Sequence, residues 1–391
     1  MSTYRRQASA PPPQIALAFV AVALTTMLLS FLWCAVALPP PLALLHAMAV
    51  GVFLTTAMGL LYQFVPVVSM TTLRHTSLPF VHLAMAATGT VLLVFGFTVA
   101  NFAYVAYGGA FHGLGMLLET AILIDTARYG KPPAPARGAG VAFVWLFATI
   151  GAGTWMALRL SRGEDVVRFA NIHAVLGLAG FFGTLIVAMS FRMLRMFERV
   201  DREGHAVPWA LAIGIASLVT MLVQNGAWLL VATGAAFGID LASIGRARSP
   251  AYQRETFAYA IASAAGGIAA TLCYAFHDGF HAVLIAVWFF VGTAVVGYLQ
   301  RIVPFIWWIH RAKRDGPRSV PALAKMNESR LGYAVLLAWL SAGICYIVTP
   351  YTPLGPDVAV VAWLLLIAQL IRPFILKQTA PMNPHPTSGI T

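Results

Sequence analysis

The sequence predicts an all-α membrane protein of about twelve transmembrane helices, arranged as three pseudo-repeats of four. Its composition is the first reason: 60% of the 391 residues are hydrophobic and only 10% are charged, whereas about a quarter of a soluble domain is charged. The second reason is that apolar runs of about 20 residues, enough to cross a bilayer as a helix, recur from Pro13 almost to Ile375. The third is a His-Ala pair that opens a long apolar run at three places.

The apolar runs define twelve predicted helices within one integral membrane domain. Their approximate spans are 14–38, 41–68, 78–101, 104–127, 139–159, 169–197, 208–224, 227–245, 255–275, 279–309, 331–349 and 356–375. The domain covers 1–391, with a tail at 1–13, repeats at about 14–130, 137–248 and 253–376, and a tail at 377–391. Three prolines, not a small-residue cleavage site, follow the first run, so we expect a retained helix rather than a signal peptide.

The basic residues predict the orientation of these helices. The net charge is +12, and of the 25 Lys and Arg only Arg159, Arg162 and Arg168 fall on one side of the predicted membrane, which leaves 22 on the other. The positive-inside rule then makes both termini cytoplasmic in a multi-pass protein of the cell inner (plasma) membrane. The basic charge therefore needs no nucleic-acid partner, and the lipid bilayer is the expected partner.

The cysteines lie in apolar runs without CxxC spacing, which argues against a disulfide framework or a zinc site.

Three similar stretches carry the predicted repeat. They read "LHAMAV" at 45–50, "IHAVLG" at 172–177 and "FHAVLI" at 280–285. Each opens the second helix of a four-helix block, and we interpret the pattern as an internal triplication. Because the three second helices run in the same direction, His46, His173 and His281 should lie at one depth, roughly 5–10 Å below the extracytoplasmic surface at 1.5 Å per residue. His112, in "FHGLGM" on the fourth helix, should lie at a similar depth.

Histidines inside a membrane are costly, and each is a candidate functional residue. Neutral imidazole is the commonest metal ligand, and haem iron is often held by an axial histidine. A structural role, in which each histidine hydrogen-bonds a neighbouring helix, is the alternative. His277 and His281, four residues apart in "FHDGFHAVLI", would share one helix face, but His277 lies at the helix mouth and its role stays open.

With these residues in place, the chain resembles the haem-copper oxidase subunit I superfamily and divergent relatives such as the NnrS-type haem- and copper-containing membrane proteins. The shared features are twelve helices in three blocks, a histidine near the outer end of helix 2 and another on helix 10. The segment "HAMAVGVFLTTAMGLLYQFVPVV" at 46–68 is similar to the family's haem-ligand helix, which begins His-Ala or His-Gly and ends near Val-Pro. The resemblance implies that His46 and His281 are axial ligands of a low-spin haem and that His277 stands in for the ligand of a second haem.

The chain also departs from that family at its copper ligands. The family's seventh helix carries a His-His pair, whereas residues 207–224 contain no histidine. "NIHAVLGLAGFFG" at 171–183 stands where the family has a His-Pro-Glu-Val-Tyr type of motif. A complete oxygen-reducing centre is therefore not expected. His173, with His112, is the candidate to hold copper or a second haem, and the candidate metal ligands are His46, His281, His173 and His112.

These patterns lead to a functional expectation with alternatives. The leading one is a membrane protein that binds haem, or haem and copper, and handles electrons or nitric oxide. It would be a haem-dependent oxidoreductase or an electron-transfer protein with a redox partner protein. A copper or haem transporter, or an assembly subunit without cofactor, is the alternative. Transporters typically bind at the midplane through broken helices, whereas these histidines begin continuous apolar runs. Glu119 and Asp125 on helix 4 are expected either to form a proton path or to pair with arginines at the helix end.

Overall fold

The computed structural model describes residues 10–198, 200–223, 225–247, 254–316, 320, 326–348 and 354–375. These residues are helical, without a strand, and include twelve helices long and apolar enough to cross a membrane. They are α1 Pro13–Val36, α2 Pro41–Val68, α3 Leu78–Thr98, α4 Phe102–Ala127, α5 Ala134–Leu160, α6 Val167–Phe197, α7 Glu203–Leu222, α8 Ala227–Arg246, α9 Glu255–Ala275, α10 Gly279–Asp315, α11 Ser329–Val348 and α12 Leu354–Ile375. The predicted class, a multi-pass helical membrane protein, is confirmed.

Local sequence signals explain where several helices begin. Proline occupies the first turn of α1, α2, α3 and α5, where its missing N–H needs no partner and its fixed φ suits a helix. Asn101 caps α4 by accepting a hydrogen bond from the backbone N–H of Ala103 at 3.2 Å. Asp278 caps α10 by accepting from the backbone N–H of His281, also at 3.2 Å. Such side-chain caps satisfy backbone donors that a helix start leaves unpaired.

Three helices form the interior of the bundle. α2, α6 and α10 are 28, 31 and 37 residues long, and 67–72% of their most apolar window is buried, against 22–44% for the other nine spans of the described residues. α10 contacts both α2 and α6 through their middle segments. The surrounding helices expose large apolar side chains such as Leu29, Val91, Val144 and Leu337, as expected where a helix faces lipid tails.

Each central helix contains a π-helical segment soon after its histidine. The segments are Ala47–Leu54, Leu176–Gly183 and Ala286–Gly292. Each is followed directly by a buried threonine, namely Thr55, Thr184 or Thr293. π-Helical turns are rare and often occur at functional sites. Their repetition in α2, α6 and α10 marks a common feature of the three helices.

Four residues after each of these threonines, a small residue allows a close helix crossing. A Cβ on Gly59 would lie 2.2 Å from the Cβ of Phe19 on α1, and one on Gly297 would lie 2.6 Å from the Cβ of Tyr259 on α9. In the middle block the small residue is Ala188, whose Cβ would lie 2.8 Å from a Cβ placed on Gly138 of α5. Small residues let helix backbones approach closely within membranes. α1, α5 and α9 thus approach α2, α6 and α10 closely, each four residues after the threonine of the longer helix.

The second half of α10 holds a buried ion pair. Arg301 lies inside α10 and pairs with Glu255 and with the hydroxyl of Thr256 on α9; both charged side chains are 4% exposed. The sequence had counted Arg301 among the basic residues of the cytoplasmic side, within the predicted helix at 279–309. The structure keeps it within α10, where its ion pair connects this helix to α9.

Candidate metal site

His46 and His173 are neighbours at the end of the bundle where the central helices begin. They are the sixth residue of α2 and the seventh of α6. Their ring centroids are 6.3 Å apart and their planes differ by 18°. Phe97 of α3 stacks on the ring of His46 at 4.6 Å. The structure therefore brings together two of the histidines that the sequence singled out.

Hydrogen bonds fix the tautomer of both rings. Nδ1 of His46 lies 2.8 Å from the carbonyl oxygen of Leu42, and Nδ1 of His173 lies 3.1 Å from that of Thr149 on α5. A carbonyl can only accept, so Nδ1 carries the proton in each ring and Nε2 keeps its lone pair. A metal-binding histidine typically has this arrangement, because the second nitrogen donates to an orienting acceptor.

A glycine on α5 makes room for the His173 ring. A Cβ on Gly153 would lie 2.8 Å from Cε1 of His173, closer than side chains pack. The ring is therefore held between the carbonyl oxygen of Thr149 and the bare backbone of Gly153, one turn further along the same helix. α5 thus orients the ligand nitrogen of α6 without contributing a side-chain ligand of its own.

His112 supplies a third imidazole near this pair. It is 2% exposed, and its Nε2 lies 3.2 Å from the hydroxyl of Thr90 on α3. Its buried Nδ1 has no hydrogen-bond partner among the described residues. Gly89 leaves space for the ring, since a Cβ there would lie 2.7 Å from Cδ2 of His112. Its partner Thr90 also lies close to Gly51 on α2, five residues after His46.

His281 has a different partner. Its Nδ1 lies 2.7 Å from Oδ2 of Asp278, and its ring packs against Phe280 at 5.5 Å. Hydrogen bonds from the backbone N–H and the ring of His281 hold the pKa of Asp278 below its usual range. The carboxylate accepts a hydrogen bond from Nδ1–H of His281 and thereby orients the ring. Among the described ring contacts, His46 meets His173 and not His281.

His281 stands further from the π-helical segment of its own helix than His46 and His173 do from theirs. Counted back from Thr55, Thr184 and Thr293, the histidines stand 9, 11 and 12 residues earlier. Measured from these threonines, His281 lies three residues nearer the start of its helix than His46 does. This corresponds to a difference in position along the helix of about 4–5 Å at 1.5 Å per residue. Its side chain is 45% exposed and pairs with Asp278 at the start of α10.

His277 has a backbone role at the end of α9. Its φ is 65°, in the left-handed region that histidine enters more readily than most residues. Its N–H donates to the carbonyl of Tyr274 at 3.0 Å, and the N–H of Asp278 donates to that of Cys273 at 2.9 Å. These bonds close the last turn of α9, as left-handed residues do at helix ends. The side chain of His277 is exposed.

An apolar cavity of about 130 Å³ lies between α6, α7, α8, α9 and α10. Ala174 and Ala282, the residues that follow His173 and His281, line it. Its few polar lining groups include Asn171, Thr271 and Tyr274. None of the candidate histidines lines the cavity, so it adjoins two of them without enclosing their rings.

Sequence reasoning left His82 unassigned, and the structure gives it two buried neighbours. Its Nδ1 lies 3.0 Å from the hydroxyl oxygen of Tyr62 and 3.8 Å from Oε2 of Glu119. Glu119 was the signal in the sequence, as a carboxyl group well inside a predicted helix. Asp125, by contrast, pairs at the helix end with Arg128 and with Arg74 at 2.6 Å.

No group of three or more His, Cys, Asp and Glu side chains suited to a metal ion occurs in the part of the chain that the structure describes. The closest candidate is the two-imidazole pair of His46 and His173. Neither protein-family models nor curated proteins yield a match to this chain. The geometry of His46, His173 and their neighbours is therefore the basis for inferring a function.

Proposed function

We propose that this protein is a redox-active, metal-containing membrane protein in which His46 and His173 hold one metal ion. The observation that carries the proposal is the pairing of the two rings at 6.3 Å and 18°, each with its Nδ1 proton bound to a carbonyl oxygen. Two imidazoles bound to one ion at about 2 Å from each nitrogen have centroids about 5–6.5 Å apart. The observed separation of the ring centroids, 6.3 Å, falls within this range.

Copper fits this pair better than a haem does. Imidazole nitrogens bind copper well, and copper is the strongest binder among the divalent ions of its row. A haem needs a flat slot beside its ligand, and the apolar cavity of about 130 Å³ is lined by neither His46 nor His173. When bound, copper would supply one-electron chemistry. The chain's own contribution is to orient Nε2 of each ring through Leu42 and Thr149 and to cover His46 with Phe97.

A haem on His281 is the second candidate, and one observation favours it. Asp278 orients the ring of His281, and the apolar cavity begins beside it at Gly279 and Ala282. A carboxylate partner raises the basicity of a histidine ligand. His46, His112 or His277 would have to move to provide a second axial nitrogen. This candidate retains the haem ligand that the resemblance implied, with a redox partner protein as electron source.

The proposal extends to the repeat and to the orientation. Three central helices share a π-helical segment, a following threonine and a small residue at the crossing, which supports an origin by triplication. The excess of Lys and Arg at the opposite end of α2, α6 and α10 supports cytoplasmic termini in the plasma membrane. The metal pair would then lie near the extracytoplasmic face, accessible to a partner on that side.

Metal analysis and absorption spectra of the purified full-length protein test these assignments. We expect bound copper that is lost in both His46→Ala and His173→Ala and retained in His281→Ala. A haem on His281 would instead be lost in His281→Ala, and also in His46→Ala if His46 supplies its second axial nitrogen. His310→Ala is the matched control, since His310 is exposed near the far end of α10. The proposal is refuted if the wild-type protein is free of metal after expression with added copper and haem precursor. It is also refuted if both ligand variants, His46→Ala and His173→Ala, retain the wild-type copper content. Copper that exchanges within seconds would favour the transporter alternative.

A further inference from the structure

Tyr62, His82 and Glu119 form a buried polar cluster, far from the metal pair along the central helix. Each of the three residues is 0% exposed. Tyr62 follows His46 by 16 residues on α2, about 24 Å at 1.5 Å per residue. The three side chains come from α2, α3 and α4 and meet at Nδ1 of His82, 3.0 Å from the Tyr62 hydroxyl and 3.8 Å from Oε2 of Glu119.

Apolar and small residues enclose the cluster. Phe19 of α1 packs against His82 at 5.2 Å and against Tyr62 at 5.7 Å between ring centroids. Gly115 of α4 leaves room for the imidazole, because a Cβ there would lie 2.8 Å from Cδ2 of His82. The sequence thus provides space for a buried imidazole beside a carboxyl group.

Several polar atoms of the cluster have no hydrogen-bond partner. Among the described residues, both carboxyl oxygens of Glu119 and Nε2 of His82 are buried without one. A buried carboxylate without a donor is strongly disfavoured, because burial removes its hydration and nothing replaces it. A neutral carboxylic acid avoids most of that cost. The cluster therefore retains a proton, and it keeps a second acceptor on the His82 ring.

Few other ionisable groups face this cluster. The helices packed against α4 are α2, α3 and α5. α2 contributes Tyr62 and, at its other end, His46; α3 contributes His82. α5 carries charge only at Arg137 and Arg159, close to its two ends, and α4 itself carries His112 and Asp125 on either side of Glu119.

We propose that Tyr62, His82 and Glu119 form a proton-exchange site inside the membrane. Glu119 holds a proton at neutral pH, and His82 accepts a further one only when a compensating negative charge enters the membrane interior; the charge of the cluster then changes from zero to +1. The added proton comes from solvent water as hydronium and forms an N–H bond on the ring. The Tyr62 hydroxyl donates to Nδ1 while that nitrogen is bare and accepts from it once it is protonated.

The purpose of such a site follows from charge balance in a low-dielectric interior, and this step rests on the proposed function. An electron that a one-electron reductant delivers to the metal pair adds a negative charge, and a proton in the cluster, about 24 Å away along α2, offsets part of it because the interior screens charge weakly. His112 lies two helical turns from Glu119 on α4 and contacts Thr90 of α3. We therefore expect the proton occupancy of the cluster to rise when the metal pair is reduced.

Infrared spectroscopy tests the protonation directly and does not require a bound metal. The full-length protein in detergent at neutral pH should show the C=O stretch of a buried carboxylic acid, which Glu119→Gln removes and Asp357→Asn, an exposed carboxyl at the start of α12, leaves unchanged. If Glu119→Gln fails to fold, His82→Gln should shift the frequency of the same band. A band that survives Glu119→Gln, or that ignores His82→Gln, would overturn the proposal.

A redox titration separates this inference from the proposed function. With metal bound, the midpoint potential should fall as the pH rises, by less than the about 59 mV per pH unit that strict one-to-one coupling of protons and electrons would give. In Glu119→Gln and His82→Gln the slope should be reduced while the metal content stays the same. A bound metal with the wild-type slope in both variants would overturn the coupling alone. Absence of metal would overturn the proposed function and leave the infrared result to decide the proton site.

Discussion

Replacing Gly59 by alanine should destabilise the protein, because α1 and α2 cross at this residue. The added Cβ would lie 2.2 Å from the Cβ of Phe19, whereas ordinary van der Waals contact begins near 3.4 Å. Phe19 would have to move by more than 1 Å, and it is 0% exposed, so the backbones must separate. Forcing one extra methyl into a packed core typically costs about 1–3 kcal/mol. Alanine's better helix propensity, up to about 1 kcal/mol over glycine, offsets only part of this cost.

Heat stability of the detergent-solubilised protein measures the effect, as the monodisperse fraction that remains after stepwise heating. Gly151→Ala on α5 is the matched control, since no atom lies within 4 Å of a Cβ at that position. We expect Gly59→Ala to lower the midpoint and Gly151→Ala to leave it unchanged or raise it. Gly297→Ala should behave like Gly59→Ala, because it lies against Tyr259. Equal midpoints for Gly59→Ala, Gly151→Ala and the wild type would refute the close crossing.

Two further predictions concern charged groups of α10 and of its N-cap. Arg301→Met should lower stability by about 3–5 kcal/mol, seen as a lower midpoint in the same heat assay, because the buried Glu255 loses its partner. Adding Glu255→Leu to Arg301→Met should recover most of the loss. An Arg301→Met variant as stable as the wild type would contradict the pairing. The lowered pKa of Asp278 means that its interaction with His281 is fully present above the ordinary aspartate value of about 3.9 and is lost as the pH falls through the lower folded value. The ¹³C shift of the Asp278 carboxyl should therefore change with a midpoint below that ordinary value, His281→Ala should move the midpoint back towards it, and an unmoved midpoint in that variant would argue against the contact.

The helix count could be predicted because a bilayer imposes a length on each span. Every predicted run of about 20 apolar residues corresponds to one helix of the described structure. The boundaries differ where polar residues continue a helix beyond its apolar part. α10 continues beyond residue 309 to Asp315, and α5 begins at Ala134 rather than at 139. Hydropathy does not detect the extension of α10, because its polar residues Arg311 and Arg314 pair with Asp315.

The candidate site was predictable only as a set of residue types. The sequence identified His46, His173 and His281 from one repeated dipeptide, and it treated the helices as regular. π-Helical segments change the number of residues per turn, and hydrophobic periodicity does not reveal them. The partners that orient the rings, two carbonyl oxygens and one carboxylate, also come from tertiary or capping contacts. Those contacts decide that His173 meets His46 and that His281 pairs with Asp278.

The three central helices use similar sequences to place histidines in unequal surroundings. A carbonyl oxygen accepts a hydrogen bond from Nδ1 of His46 and of His173, and the two rings lie close together. A carboxylate holds His281 at the helix mouth, beside an apolar cavity that begins at Gly279 and Ala282. A shift of two or three residues relative to the π-helical segment moves each histidine along and around its helix without disturbing the crossing at Gly59, Ala188 or Gly297. Under the proposed function, exchanging the acceptor rather than the histidine is then the change that would alter which metal a ring can hold.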